Sequence, residues 1–315
     1  MHKVSILSHI ESSIPRKLFD KYAHGLELNV KVLNPNELDA IKDDLVESDI
    51  VVGDVAQKFI FSEPIVNMMK NLLFFQQPAA YFDNVDINTL KSRGVKVSYL
   101  PFVDSIPIAE HTMALAFVLL KRIIFAHLNA IEGRSVKSEV ENLSSELYHK
   151  TWGIIGPLHI AKELGKRVRS LGMQVIYHTN DEGKFAESKN VEDVFFQSDV
   201  ISLHYNAHLS KKVGEEELKV MKPTSIIVDV SRQTMLDQQA LAKAILEGQI
   251  AGAGVDLVEQ LHSSSPLLLA AKEGAPVVLT QDMAGSSSEL YLRAIKESVR
   301  NVCLYVKGQE PKYIV

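Results

Sequence analysis

The chain holds one cysteine, Cys303, in 315 residues. A single thiol excludes an internal disulfide framework and any metal site built on several cysteines. Cys303 reads as a small buried apolar group. A basic excess is also missing. The chain has 34 lysines and arginines against 39 aspartates and glutamates, a net charge of −5. Nucleic-acid binding neutralises phosphates with a basic surface, so no nucleic-acid partner is expected. The one apolar stretch near the ~20 residues that span a bilayer, 106–124, is interrupted by Glu110 and His111. No membrane partner is expected either. The amino-terminal apolar run, Val4–Leu7, is short and lacks the ordered regions of an export signal, which makes a reducing cytoplasm the expected location. No His, Asp or Glu cluster has metal-ligand spacing, so no metal is expected. The serine clusters 263–265 and 286–288 lack the strand–turn–helix setting of a nucleophile elbow.

Hydrophobic residues make up 46% and charged residues 23%, the balance of a folded globular protein. The length favours two domains. Short β-rich runs, Val4–Leu7, Val30–Leu33, Ile50–Val52, Leu72–Phe75 and Val95–Tyr99, alternate with helix-compatible segments at 15–22, 37–46, 64–70 and 87–92. Such alternation predicts βαβ units and a parallel sheet. The long apolar segment 106–124 reads as a buried interdomain or oligomer helix. After it, Glu132–Lys150 is polar and reads as a mobile connection. A second βα series then starts. Its strands are expected at 152–155, 175–178, 200–204, 226–230, 251–255 and 277–279, with helices at 160–170, 191–195, 215–220 and 238–247. A long amphipathic helix, 287–306, closes the chain.

The stretch from Thr151 to Asn180 reads strand, tight turn, helix, strand. A dinucleotide turn wants G-x-G-x-x-G: the first glycine makes the turn, the second admits the pyrophosphate, the third lets helix meet strand. Here those positions hold Gly156, Leu158 and Ala161. Alanine suits the third, but Leu158 would fill space a pyrophosphate needs. The helix start still offers N–H groups and a positive dipole end, with His159 and Ile160 in its first turn. The acid that binds an adenine ribose belongs about 20 residues on, at the end of the next strand. That position is Thr179, which cannot grip both ribose hydroxyls as a carboxylate does. Its neutrality removes the usual bar to a 2′-phosphate, and Lys184 is the nearest cation. NAD or NADP is the expected cofactor, if any.

Several further motifs fall in order along the chain. Phe82–Pro101 reads as a loop, helix and strand. Ala109-Glu110-His111-Thr112 opens the long helix, and Ser202-Leu203-His204 ends a strand. Met221-Lys222-Pro223, Asp229-Val230-Ser231-Arg232 and Gly252–Asp256 follow. Together these resemble the D-isomer-specific 2-hydroxyacid dehydrogenases over nearly the whole length. The resemblance implies two doubly wound, Rossmann-like parallel-sheet α/β domains, with the nucleotide-type domain (104–286) inserted into a substrate-binding lid domain (1–103 plus 287–315). It also implies hydride transfer between a nicotinamide and C2 of a small 2-hydroxy acid, and a homodimer joined through 106–124. Gly156, Leu158, His159, Ile160, Thr179, His204, Ser231 and Asp256 take the cofactor positions. Ala79, Ala80 and Tyr81 take the substrate loop, altered from the family's glycine-bearing form.

Three polar residues do the family's chemistry: a carboxylate-binding arginine, a histidine that carries the proton, and a glutamate that orients it. Position by position, the arginine is Arg232. The histidine position, in the sequence Thr280–Gly285, holds Asp282. The glutamate position, five residues after Asp256, holds Leu261, with Glu259 two residues before it, and His262 next to Leu261 is an alternative imidazole. A general acid works best with a pKa near the operating pH, and an aspartate titrates near ~3.9. Asp282 would pair with Arg232 or repel an incoming carboxylate. Losing acid–base catalysis costs roughly 10²–10⁴-fold. The expectation is a dehydrogenase relative whose activity is weak, altered or absent, acting on a small anionic molecule. The alternative is a non-catalytic ligand-binding or regulatory homologue.

Overall fold

The computed structural model describes residues 1–8, 13–179, 189–205, 212–232, 235–257 and 263–315. The chain divides into two compact units: residues 1–104 with 287–315, and residues 105–286.

The first unit runs β1 (His2–Leu7), α1 (Ser13–Tyr22), β2 (Leu28–Leu33), α2 (Leu38–Glu47), β3 (Ile50–Val52), α3 (Glu63–Met68), β4 (Phe74–Gln76), α4 (Ile87–Ser92) and β5 (Lys96–Ser98). Its five strands are ordered β2-β1-β3-β4-β5 and all pair in parallel. Strands covered on both faces read as continuous apolar runs, and β3 is buried throughout. The fourth strand starts later than its apolar run suggests and ends on buried Gln76.

The second unit opens with α5 (Ser105–Leu120), α6 (Ile123–Ile131) and α7 (Lys137–Leu143). It continues with β6 (Thr151–Ile155), α8 (Leu158–Ser170), β7 (Gln174–His178), α9 (Val191–Gln197), β8 (Val200–His204), α10 (Glu215–Lys219), β9 (Ile226–Val230), α11 (Gln238–Leu246), β10 (Gly252–Leu257), α12 (Pro266–Lys272) and β11 (Val277–Gln281). Its six strands are ordered β11-β10-β9-β8-β6-β7, again all parallel. Asn190 caps α9 and Asp237 caps α11 through their side chains, which satisfies first-turn N–H groups.

Three local expectations change. The segment 106–124 is not one helix. Arg122 adopts left-handed backbone (φ 54°), and α6 leaves α5 at 60°. The polar stretch 132–150 contains α7, whose exposed Lys137 and Glu141 face each other one turn apart at 3.6 Å. A helix also forms at 266–272, where Ser265-Pro266 starts the turn and Leu267 and Ala270 bury.

The last helix, α13 (Ser288–Val306), belongs to the first unit. Ser287 caps it, accepting from Leu290 N at 3.0 Å. Its Tyr291, Ile295, Val299 and Val302 pack with Val4, Ile6, Ile50 and Phe74 of the first sheet. Buried Asn301 fastens the carboxy-terminal tail. Its Nδ2 donates to Gln76 Oε1 and Ser98 Oγ, each at 2.9 Å, and its Oδ1 accepts from Lys312 N at 3.1 Å.

Candidate active site

In an open parallel sheet, ligands bind beyond the carboxyl ends of the strands, where the strand order reverses. In the second unit that point lies between β6 and β8. Gly156 follows β6 and His204 ends β8, so sequence and topology select the same place. Gly156 has φ +158°, and a Cβ there would lie 2.6 Å from His204 Cβ. The first glycine is thus required by the neighbouring strand as well as by the turn.

Helix α8 starts at Leu158, after Pro157 in extended conformation (φ −61°, ψ 141°), with no side-chain cap. First-turn N–H groups have no partner within a helix, so they face a ligand or solvent. Leu158 and His159 are half-buried, whereas the Ile160 side chain is buried and leaves only its main chain for a ligand. Gly165, one turn after Ala161, provides the close contact with the sheet: a Cβ there would overlap the Tyr177 hydroxyl and lie 2.9 Å from its Cζ.

Thr179 is 1% exposed, and its Oγ1 has no hydrogen-bond partner among the described residues. His204 is fully buried. Its Nε2 meets Ser202 Oγ at 3.1 Å, and that oxygen accepts from Trp152 Nε1 at 3.0 Å. Nδ1 of His204 has no partner among the described residues. Burial, assisted by repulsion from His159, pulls the His204 pKa down to about 3, so this imidazole is neutral at physiological pH. Ser202 belongs to the Ser202-Leu203-His204 motif, but the sequence assigns neither it nor Trp152 a part in supporting the imidazole; the alternation of apolar strands hides a polar pair lying between them.

Asp256 sits near the end of β10, and its carboxylate accepts three hydrogen bonds. Oδ1 accepts from Thr280 Oγ1 at 2.6 Å and from Met283 N at 3.1 Å, and Oδ2 accepts from Ala284 N at 2.8 Å. His111 Nε2 lies 3.0 Å from the same threonine hydroxyl. Asp256 therefore pins the turn that carries Asp282. Asp282 is exposed, with left-handed backbone (φ 51°). It forms no ion pair with Arg232 among the described residues, so the pairing that the sequence allowed is not made. Arg232, two residues beyond β9, also has left-handed backbone (φ 58°), and its guanidinium carbon stands 5.6 Å from the Tyr205 ring centre. Such a conformation is uncommon for a side chain of this size and clusters at functional sites.

Ser231 N donates to buried Asp229 Oδ1 at 2.9 Å. Burial pushes the Asp229 pKa up to about 6, opposed by its bonds to Ser231 and aided by Asp256. Asp229 opens the Asp229-Val230-Ser231-Arg232 motif, but the sequence assigns it no role of its own; an acid inside an otherwise apolar strand is the available signal. Leu261, Glu259, His262 and Lys184 lie outside the described residues. In the first unit, Ala79 and Ala80 are buried and Tyr81 is half-buried, with Gln77 Nε2 donating to Tyr81 O at 2.8 Å and Leu100 N to Ala79 O at 3.1 Å.

Residues 113–280 match the profile described as "D-isomer specific 2-hydroxyacid dehydrogenase, NAD binding domain". The chain belongs to the D-isomer specific 2-hydroxyacid dehydrogenase family. Among its relatives, a glyoxylate reductase of Thermococcus litoralis is 33% identical over 284 residues, 85% of this chain and 84% of that one. D-3-phosphoglycerate dehydrogenase of Escherichia coli is 30% identical over 260 residues, 80% of this chain and 61% of that one. The fold also matches apo D-lactate dehydrogenase of Escherichia coli, with a TM-score of 0.77, 21% identity and 99% coverage of both chains. The two parallel sheets and the switch-point turn are thus those of a nicotinamide-dependent dehydrogenase family.

The residues present fit a nicotinamide dinucleotide in outline. The uncapped helix start suits a pyrophosphate, and the buried Thr179 hydroxyl, unpartnered among the described residues, lies at the motif position of the adenosine ribose. Leu158, at the second glycine position of the turn motif, narrows this fit.

Proposed function

We propose that this family member binds a nicotinamide dinucleotide in its second unit and a small 2-oxo or 2-hydroxy acid anion, with hydride transfer that is weak or absent. The first unit serves as the substrate-binding lid and the second as the nucleotide-binding domain. The observation that carries the reading is Asp282: the turn pinned by Asp256 presents a carboxylate where the family's proton-carrying imidazole belongs. With Leu261 at the glutamate position, neither position carries the imidazole or the orienting glutamate on which the family's proton transfer rests. When bound, the cofactor would supply a hydride to C2 of the acid. The chain's own residues would orient the anion through Arg232, two residues beyond β9. The neutral Thr179 admits NADP(H) beside NAD(H), because it does not repel a 2′-phosphate.

Calorimetric titration with NAD, NADH, NADP and NADPH tests the first half of this reading. Submillimolar binding of at least one supports it; failure of all four ends it. Oxidation of the reduced cofactor with glyoxylate, pyruvate or hydroxypyruvate tests the second half. Turnover at the rate of ordinary dehydrogenases, on the order of 10 s⁻¹, would contradict it. Asp282→His with Leu261→Glu is expected to raise turnover by roughly 10²-fold or more. A silent double variant that still binds cofactor would place the defect elsewhere.

A second reading, a regulatory or ligand-binding protein without turnover, is favoured if an anion binds and Arg232→Ala abolishes that binding while the rescue variant stays inactive. The chain is also proposed to be a cytoplasmic homodimer. The joining surface is the 106–124 region with α6, where Ile123, Ile124, Phe125, Leu128 and Ile131 are all exposed; clustered exposed apolar side chains mark interaction surfaces.

A further inference from the structure

The first unit has a cavity of about 220 Å³ away from the cofactor turn, lined by Leu100, Phe102, Val103, Arg293, Glu297, Asn301, Lys312 and Tyr313. It lies between α13, the turn after β5 and the carboxy-terminal tail. Arg293, Glu297 and Asn301 are spaced four residues apart and share one face of the helix. Arg293 uses Nε and Nη2 on the carbonyl of Val103, at 3.2 and 2.7 Å. Its Nη1 makes no hydrogen bond or ion pair among the described residues, and neither does Lys312 Nζ. Glu297 does not turn to Arg293. It gives Oε1 to Arg300 at 2.5 Å and leaves Oε2 unpaired among the described residues. The apolar wall is aromatic and open to solvent. Phe102 is 54% and Tyr313 45% exposed, and their rings meet edge to face at 5.7 Å. Tyr313 is held there by left-handed backbone (φ 56°) and by Tyr99 N, which donates to its carbonyl at 3.2 Å.

Two cations without a counter-ion among the described residues, one half-engaged carboxylate and an aromatic wall in one small cavity form a set with a defined complement. A carboxylate answers Arg293 and Lys312, an ammonium answers Glu297, and an apolar side chain lies against Phe102 and Tyr313. The volume falls below the ~300–1,000 Å³ of drug-sized pockets, which suits a metabolite of amino-acid size. We propose that this cavity is a binding site for a free α-amino acid with an aromatic or branched apolar side chain. Val103 and Arg293 both belong to the first unit, and the bond between them ties the turn after β5 to α13.

The test is titration of the full chain, by calorimetry or ligand-observed NMR, with L-phenylalanine, phenylacetate and phenethylamine. The second probe lacks the ammonium and the third the carboxylate. L-phenylalanine is expected to bind about tenfold or more tightly than either, a difference of ~1.4 kcal/mol. Lys312→Gln, an exposed change, should weaken L-phenylalanine and phenylacetate and leave phenethylamine unaltered. Glu297→Gln should weaken L-phenylalanine and phenethylamine only. Arg293→Gln should act like Lys312→Gln, with circular dichroism showing that the fold survives loss of the Val103 bond; the other two variants decide the matter if it does not. No binding of L-phenylalanine at millimolar concentration overturns the proposal. So does equal binding of all three probes, or binding that Lys312→Gln and Glu297→Gln both leave unchanged. None of these measurements depends on nicotinamide binding in the second unit.

Discussion

In the proposed cofactor turn, Leu158 takes the motif position where main chain approaches a pyrophosphate closely. It begins α8, is half-buried, and follows a proline that contributes no donor. The rest of the turn is retained, since Gly156 is fixed by the His204 side chain. Removing the Leu158 side chain should therefore act on affinity more than on fold. Leu158→Gly is expected to tighten binding of NADH or NADPH by about tenfold or more, roughly the 1–3 kcal/mol of a relieved steric conflict. Calorimetry on the purified variant measures it, and unchanged affinity would show that a bound pyrophosphate does not meet this residue. The sequence made Leu158 visible because a turn motif has fixed spacing. It could not show that the carboxylate of Asp256 is spent on Thr280, Met283 and Ala284. Those partners come from another strand and its turn, and no local pattern marks them.

Secondary structure in this protein was legible where periodicity and burial agree. Strands β3, β8 and β9 are buried along their whole length and read as apolar runs. The break at Arg122 was not legible, because α5 and α6 are both apolar and a left-handed residue between them leaves no trace in composition. Helix α12 was missed for the opposite reason: its serine-rich lead masks the start that Ser265-Pro266 provides. Helix-to-sheet contact yields a prediction at this scale. Gly165 faces fully buried Tyr177, which cannot move without disturbing the packing of α8 on β7. Gly165→Ala would ordinarily favour a helix by about 1 kcal/mol. Here it is expected to destabilise by about 1–3 kcal/mol, the usual cost of overpacking a filled core, read as a lowered midpoint in urea. For α6, Ile124→Glu with Leu128→Glu should leave helicity intact in far-ultraviolet dichroism and move the sedimentation coefficient to that of a monomer. A wild-type chain that is already monomeric at micromolar concentration would remove the dimer proposal.

The stability of the whole molecule carries the signature of two buried titrating groups with opposite signs. His204 has a folded pKa of about 3 against 6.5 in the open chain. Between those values the unfolded state holds the extra proton, so stability rises with pH up to about 6.5 and is lost on acidification. Asp229 has a folded pKa of about 6 against 3.8. Between those values the folded state holds the extra proton, so its contribution is full below 3.8 and is lost as pH rises to 6. From about pH 4 to 6 the two proton differences cancel, and this pair adds no net slope. Each alone would give roughly 1 kcal/mol per pH unit. His204→Gln keeps a hydrogen-bonding side chain and removes one of the two groups. Relative to wild type, its stability should fall by roughly 1 kcal/mol for each unit of pH between 4 and 6, with other carboxylates contributing equally to both proteins. Asp229→Asn should show the reverse slope. Urea midpoints taken across this range measure both, and parallel curves for wild type and His204→Gln would mean that the imidazole is not held neutral in the folded protein.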